Sequence, residues 1–299
     1  MPFRLLKLSP HLQAVLLALL VTLLWSTSWV IIKLGLKDIP ALTFAGLRYS
    51  LAFVCLLPFA LRSQPREQLS RLSSADWLRI VVLGILYYAV AQGAQYIGLA
   101  VLPAVTVSIL LNFTALVVAF LGILFLDERP AWLQWLGVAF FVIGILVYFY
   151  PVVFPRQQVF GLLVVIFGVL ANAVSSILGR YINRTRLLSP LLVTGISMGI
   201  GSALLLASGL LTEGLPPLSL RSWVFIVWLA LVNTAFAFTL WNRTLQVLSA
   251  MESSIINGTM LVQIALLAWI FLGEGLTLQK IAGMALVAAA AVLVQFKRN

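Results

Sequence analysis

Charged side chains are scarce in this sequence. Asp, Glu, Lys and Arg together make up 9% of the 299 residues, whereas soluble domains carry roughly 25% charged residues. Apolar residues make up 63% and the mean hydropathy is +1.12, while the apolar share of soluble domains is roughly 45–50%. No soluble core of this size needs so much apolar surface. The composition therefore excludes a water-soluble domain and places most of the chain in lipid.

Residues for metal and redox chemistry are almost absent. The chain has one cysteine, Cys55, and one histidine, His11, so it can form neither a disulfide framework nor a zinc site. All eight acidic residues lie at the ends of apolar runs or between them. No glycine-rich phosphate loop is present, which excludes an ATP-driven motor within this chain. The sequence therefore predicts no metal, no cofactor and no catalytic residue.

Ten apolar runs follow one another along the chain, and each is long enough to cross roughly 30 Å of hydrocarbon as a helix. They are residues 12–34, 41–61, 77–99, 104–126, 131–151, 159–182, 189–211, 222–246, 252–272 and 277–296. The connections between them are short. The sequence therefore predicts an all-α integral membrane protein with ten transmembrane helices and almost no soluble mass.

The net charge of +11 follows the predicted topology and does not indicate nucleic-acid binding. With ten spans, one side of the membrane receives Arg4, Lys7, Arg62, Arg66, Arg71, Arg79, Arg180, Arg184, Arg186, Lys297 and Arg298. The other side receives only Lys33, Lys37, Arg156, Arg221 and Lys280. The more basic side of a membrane protein faces the cytoplasm. Both termini are therefore predicted to be cytoplasmic in a cell (plasma or inner) membrane, with the lipid bilayer as the partner of the basic residues.

The second half of the sequence resembles the first at a fixed offset of 146 residues. Residues 77–143 align with residues 223–289 without a gap. The identities that carry the repeat include Trp77 with Trp223, Ser108 with Ser254, Glu128 with Glu274 and Gly137 with Gly283. Each half has five predicted spans, and this odd number makes the second half start on the opposite side of the membrane. The sequence therefore predicts two inverted five-helix repeats, residues 11–151 and 157–297. Carriers of this design hold their substrate near the midplane, between the repeats.

Several motifs support a family resemblance. Residues 265–276 read Ala-Leu-Leu-Ala-Trp-Ile-Phe-Leu-Gly-Glu-Gly-Leu, and residues 24–29 read Leu-Trp-Ser-Thr-Ser-Trp, followed by Lys-Leu-Gly-Leu at 33–36. Residues 125–129 repeat the Leu-Gly-Glu signature with Asp127 in place of the glycine. With the stretch from Pro40 to Arg48, these motifs resemble the EamA-domain proteins of the drug/metabolite transporter superfamily. The resemblance implies a ten-helix exporter or exchanger of small metabolites, amino acids or drugs, without naming one substrate.

Polar side chains recur at helical spacing on corresponding spans of the two halves: one and six, three and eight, four and nine. In lipid such side chains are costly unless they face the bundle interior or a cavity. We therefore predict a substrate cavity lined by Trp25, Trp29, Arg48, Tyr88, Gln92, Tyr96, Asn112, Asn172, Ser176, Asn233, Trp241 and Asn257. Aromatic walls with amide partners suit amphipathic or aromatic solutes. The alternative is that the polar groups only join helices to one another by hydrogen bonds.

Two features leave alternatives open. Arg48 is the one charge well inside a predicted span, and it either meets an anionic group of the substrate or bonds carbonyl oxygens and extends towards the surface. Gly195 and Gly199 form a Gly-x-x-x-Gly pair, which indicates close helix packing. That packing is either within the bundle or between two copies in a homodimer.

The preferred function is a secondary transporter that works by alternating access, with a small molecule as its substrate. The alternatives are a membrane-embedded enzyme acting on a lipid-linked substrate, and a scaffold that transports nothing. Because no acidic residue lies mid-span, the sequence favours facilitated diffusion or exchange, or coupling through a terminal carboxylate such as Glu252.

Overall fold

The computed structural model describes residues 9–62, 65–102, 107, 110–126, 131–151, 159–272 and 277–293. Most of these residues are helical, and no strand forms among them. The helices are α1 (Pro10–Gly35), α2 (Ala41–Arg62), α3 (Ser74–Val101), α4 (Thr114–Leu126), α5 (Trp132–Phe149), α6 (Val159–Thr185), α7 (Pro190–Thr212), α8 (Leu220–Thr244), α9 in two parts (Ala250–Gly258 and Met260–Leu272) and α10 (Leu278–Leu293). A short helix at Pro65–Ser70 follows α2.

Six of these helices are long and apolar enough to cross a membrane: α1, α2, α3, α6, α7 and α8, with 22 to 28 residues each. They are the first three predicted spans of each half. The all-helical, multi-pass membrane fold is therefore confirmed. The other four predicted spans correspond to the shorter or interrupted helices α4, α5, α9 and α10, so the count of ten stays a prediction. Ser108, Asp127, Glu128 and Glu274 lie outside the described ranges, as do Arg4, Lys7, Arg156, Lys297, Arg298 and the boundary segment 152–158.

Serine residues begin five of the helices. The first amide groups of a helix have no partner within it, and an unsatisfied amide in lipid costs several kcal/mol. Ser9, Ser73, Ser189, Ser219 and Ser249 each accept a hydrogen bond from the amide three residues later. Ser73 and Ser219 are related by the 146-residue offset, so α3 and α8 begin in the same way.

The helices α2 and α7 cap each other. At the start of α2, the amide of Thr43 donates to Glu213 Oε2 at 3.0 Å, just beyond the end of α7. At the start of α7, the amide of Ser189 donates to Gln68 Oε1 at 2.8 Å, in the short helix that follows α2. The end of each helix therefore supplies the acceptor for the beginning of the other.

Glycines set the contact between α2 and α7. A Cβ added at Gly46 would lie 2.5 Å from Leu206 Cα, and one added at Gly199 would lie 2.7 Å from the Phe53 ring. Positions that rise along α2 meet positions that fall along α7, so the two helices run antiparallel. Gly199 packs on α2 of the same chain, and the Gly-x-x-x-Gly pair thus serves packing within the bundle.

The helices α5 and α10 form a second antiparallel pair. Gly144 and Gly283 face each other so closely that a Cβ on Gly283 would lie 2.7 Å from Gly144 O. Four residues earlier in α10, Gln279 Nε2 donates to the carbonyls of Val147 and Tyr150, at 2.7 Å each. These bonds satisfy the free carbonyls at the end of α5.

Both α3 and α8 contain a π-helical segment, at Ile85–Ala91 and Leu231–Phe236. The two segments begin 146 residues apart, the same offset as the sequence repeat. A π-helical turn closes i→i+5 bonds and holds one residue more than an α-helical turn. In α8 the Thr234 hydroxyl follows the same spacing and donates to Leu229 O at 2.7 Å. The side chains beyond each segment are therefore rotated relative to a regular helix.

The α2–α7 contact generates a test of packing. We expect Gly46→Ala to lower the melting temperature of the purified protein in detergent by several degrees, because overpacking a tight contact costs about 1–3 kcal/mol. Gly195→Ala is the control, since a Cβ at Gly195 meets only Ala60 at 3.8 Å. An equal melting temperature for both variants would show that α2 and α7 separate more easily than this contact implies.

Candidate functional site

A cavity lies at the centre of the bundle, and residues from α1, α2, α3, α4, α6, α8 and α9 line it. The volume open to the centres of water molecules is about 130 Å³, roughly ten times the 10–15 Å³ that one water needs. Nine of the twelve predicted residues are at its wall: Trp25, Trp29, Arg48, Gln92, Asn112, Asn172, Ser176, Trp241 and Asn257. No described residue of α5, α7 or α10 is among the lining residues.

Three predicted residues, Tyr88, Tyr96 and Asn233, lie behind the wall and do not line the cavity. Tyr88 and Asn233 fall within the π-helical segments, where the spacing of 3.6 residues per turn no longer holds. On α3 the extra residue brings Tyr87, not Tyr88, to the cavity. Tyr96 is fully buried, and its hydroxyl contacts Arg48 at 3.2 Å.

Aromatic rings form one side of the cavity. Phe238 lies at their centre: its ring centroid is 4.8 Å from that of Trp25 and 5.6 Å from that of Tyr87. Trp241 extends the group, with its centroid 5.2 Å from that of Trp25. Phe238 and Tyr49 were missed in the sequence, because a single apolar or amphipathic residue in an apolar span carries no periodic signal. The signal available for Phe238 was its equivalence with Gln92 at the 146-residue offset.

Asn233 joins α8 to α1. Its Nδ2 donates to Leu24 O and to Thr27 Oγ1, the latter at 3.0 Å. Its backbone carbonyl accepts a bond of 3.0 Å from Trp25 Nε1. Asn233 therefore follows the alternative prediction, in which a polar side chain joins two helices by hydrogen bonds. The contact also fixes the indole of Trp25 against the cavity wall.

Arg48 is buried, with 3% of its surface exposed, and it lines the cavity. Its guanidinium donates to Thr234 Oγ1 at 2.7 Å, to Tyr96 Oη at 3.2 Å and to Asn233 O at 3.3 Å. Its Cζ also lies 5.1 Å from the centroid of the Tyr49 ring. The side chain therefore does not extend to the surface. It is the only charged side chain among the described lining residues.

Several amides and hydroxyls complete the polar side of the cavity. Tyr49 Oη donates to Gln92 Oε1 at 2.7 Å, which orients both side chains. Thr114 Oγ1 and Asn257 Oδ1 are buried and have no hydrogen-bond partner in the part of the chain that the structure describes. Buried polar atoms are normally satisfied, so these two are open to a bound solute or water.

Glu252 lies beside the cavity residues Ala250 and Ser253, at the beginning of α9. Its side chain is fully buried, and Oε1 contacts His11 Nε2 at 3.0 Å. Its Oε2 accepts from the amide of Ser249 at 2.7 Å and completes the helix cap. The carboxylate therefore fastens the beginning of α9 to the beginning of α1.

A polar cavity enclosed by membrane-crossing helices is the arrangement of a multi-pass transport protein. The chain matches the model of the EamA-like transporter family twice, over residues 12–150 and 159–296. It therefore belongs to the EamA-like transporter family, as the motifs at 24–36 and 265–276 predicted.

Individual relatives agree with this assignment. The chain is 30% identical to the uncharacterized transporter YvbV of Bacillus subtilis (strain 168), over 97% of this chain and 94% of that one. It is 27% identical to a probable amino-acid metabolite efflux pump of Salmonella typhimurium (strain LT2), over 91% of each chain. One crystal structure superposes on this chain with a TM-score of 0.79 at 17% sequence identity, which shows a shared fold. The match covers 95% of this chain and 96% of the chain in that structure.

The different surroundings of two asparagines give a test. Asn233→Ala removes bonds between α8 and α1, and hydrogen bonds between membrane helices contribute about 0.6–2 kcal/mol each. We therefore expect it to lower the melting temperature in detergent, whereas Asn172→Ala, at the cavity wall, leaves it unchanged. If the two variants melted alike, the role assigned to Asn233 would be wrong.

Proposed function

We propose that this protein is a secondary transporter that exports or exchanges small amphipathic metabolites, amino acids or drugs by alternating access. The observation that carries the proposal is one central cavity with an aromatic side and a polar side, to which both halves of the chain contribute. The Salmonella relative, named a probable amino-acid metabolite efflux pump, favours export of a small metabolite.

The chemistry of the cavity supports a solute with both apolar and polar parts. Trp25, Phe238 and Trp241 offer ring faces on which an apolar or aromatic group can pack. Gln92 and Asn172, from two other helices, offer amide groups at the same cavity. A few polar groups in an otherwise apolar pocket fix a ligand's orientation. No chemical step at the solute is part of the proposal.

Helix directions support two inverted repeats within ten spans, residues 11–151 and 157–297. The equivalent helices α2 and α7 run antiparallel, and so do α5 and α10. The contact between Phe53 and Gly199 joins residues that are themselves 146 apart, as expected on a two-fold axis in the membrane plane. Rocking of one repeat against the other around such an axis exposes a central site to each side in turn.

Breaks in regular helix geometry lie next to the cavity and offer places for that motion. The π-helical segments of α3 and α8 adjoin Gln92 and Phe238, and α9 is interrupted at Thr259, between the lining residues Gly258 and Met260. Helices bend at interruptions of this kind. We propose that α3, α8 and α9 bend there as the cavity opens.

The orientation follows from charge. We propose that the chain lies in the plasma or inner membrane with both termini in the cytoplasm, because the basic residues concentrate on that side. The His11–Glu252 pair, which joins the beginnings of α1 and α9, would then close the cytoplasmic end of the bundle. The bilayer and a small-molecule substrate are the proposed partners, without nucleic acid.

Blocking the cavity tests the proposal. Asn172→Trp should abolish solute uptake into proteoliposomes, because an indole in place of an amide fills the space between α6 and the opposite wall. The control is Leu170→Trp on the same helix, where the native side chain is 49% exposed on the outer face of the bundle.

The assay follows radiolabelled amino acids, nucleosides, sugars, polyamines and dyes into vesicles that contain either variant or the unaltered chain. We expect uptake of at least one solute above that of empty vesicles, lost only with Asn172→Trp. Uptake no faster than in empty vesicles for every solute, or full uptake with the blocked variant, would refute transport through this cavity.

A further inference from the structure

Arg48 carries a buried charge without a counter-charge. Its three hydrogen-bond acceptors are a hydroxyl, a phenol and a carbonyl, all neutral. The ion pairs formed among the described residues do not include it. A charged side chain inside a membrane protein is costly and usually meets an opposite charge, water or a ligand. The neutral contacts hold the guanidinium in place and leave its charge uncompensated.

The second half of the chain shows that packing does not require this charge. At the 146-residue offset, Arg48 and Tyr96 correspond to Thr194 and Asn242. These two also meet across the corresponding helices, with Asn242 Nδ2 donating to Thr194 Oγ1 at 2.8 Å. The same helix junction is therefore held by neutral side chains in one half and by an arginine in the other. Only the junction with the arginine contributes a residue to the cavity wall.

The guanidinium retains the capacity to bind a ligand. It has five N–H groups, and the three bonds above use one on each nitrogen, so one N–H remains on each terminal nitrogen. An arginine with two adjacent N–H groups is the preferred partner of a carboxylate. Because Arg48 lines the cavity and is fixed by Thr234, Tyr96 and Asn233, little entropy would be lost on binding.

A complementary group lies elsewhere on the same wall. Asn257 Oδ1 and Thr114 Oγ1 are buried acceptors without a partner among the described residues, and both line the cavity. An acceptor of this kind is satisfied by an N–H or O–H group of a bound solute. The cavity therefore offers donors at Arg48, acceptors at Asn257 and Thr114, and ring faces at Trp25 and Phe238.

We propose that Arg48 is the anion-binding residue of the cavity and that the transported solute carries a carboxylate, with an N–H group directed to Asn257 and Thr114. This inference rests on the proposed transport function and specifies its substrate class. Arg48 then sets specificity, because an uncharged or cationic analogue leaves the guanidinium without a counter-charge.

Binding to the purified full-length protein tests the proposal directly. The probes are L-amino acids and N-acetylated L-amino acids with apolar side chains, each paired with its carboxamide. A ligand that binds the folded state raises its melting temperature. We expect the carboxylate of at least one pair to raise the melting temperature, and its carboxamide to bind at least tenfold more weakly.

Four variants separate recognition from packing. Arg48→Gln should remove the preference for carboxylate over carboxamide, whereas Arg48→Lys should keep the preference with weaker binding. Thr194→Val, which removes the equivalent junction bond in the other half, should lower stability and leave the preference unchanged. Asn257→Ala should weaken binding of both members of a pair and keep the preference, since the carboxylate partner is intact.

A wrong role for Arg48 and the absence of transport give different results. Equal binding of carboxylate and carboxamide to the unaltered chain, or an unchanged preference in Arg48→Gln, overturns the role of Arg48 even if solutes are transported. Failure of every probe to bind, together with transport of an uncharged solute in the vesicle assay, also overturns it. If Arg48→Gln does not fold, the comparison of each pair on the unaltered chain decides.

Discussion

Every backbone amide and carbonyl that enters hydrocarbon must find its partner inside the protein, and the rest of this structure depends on how that condition is met. Serines and the reciprocal Glu213 and Gln68 contacts meet it at helix ends. In the middle of α8 the π-helical segment interrupts the regular pattern, and the carbonyl of Asn233 accepts from Trp25 Nε1 and Arg48 Nη2. The acceptor that positions one aromatic and one charged residue of the cavity therefore lies within this departure from regular helix geometry.

Much of the fold could be predicted from the sequence, because lipid permits few alternatives to apolar helices. The cavity was predicted less completely. Asn172 and Ser176, which lie on regular helix, were located by spacing alone. Tyr88 was misplaced because a π-helical turn shifts the spacing by one residue, and Asn233 because its side chain is hydrogen-bonded to α1. No local pattern marks such a turn. Phe238 was missed for another reason: among 18 phenylalanines in an apolar chain, only its equivalence with Gln92 marks the one that faces the cavity.

The two halves share a scaffold and differ in what they present. Their helices begin alike at Ser73 and Ser219, and α2 packs against α7 through residues related by the repeat. Yet Gln92 is matched by Phe238, and Arg48 by Thr194. A symmetric frame with an asymmetric lining allows equivalent movement of both halves around a site that holds a solute in one orientation. The helix contacts and the cavity chemistry can then vary independently.

The matched π-helical segments also bear on how the chain arose. Each segment holds one residue more than an α-helical stretch of the same length, and the two begin at equivalent positions. The sequence repeat around them has no gap: residues 77–137 align with residues 223–283. If the insertions had followed gene duplication, two independent insertions would have had to occur in the same turn. One insertion in a half-length ancestor accounts for both. The irregular turn is then older than the duplication. The differences between Arg48 and Thr194 and between Gln92 and Phe238 arose later, on helices that already carried this turn.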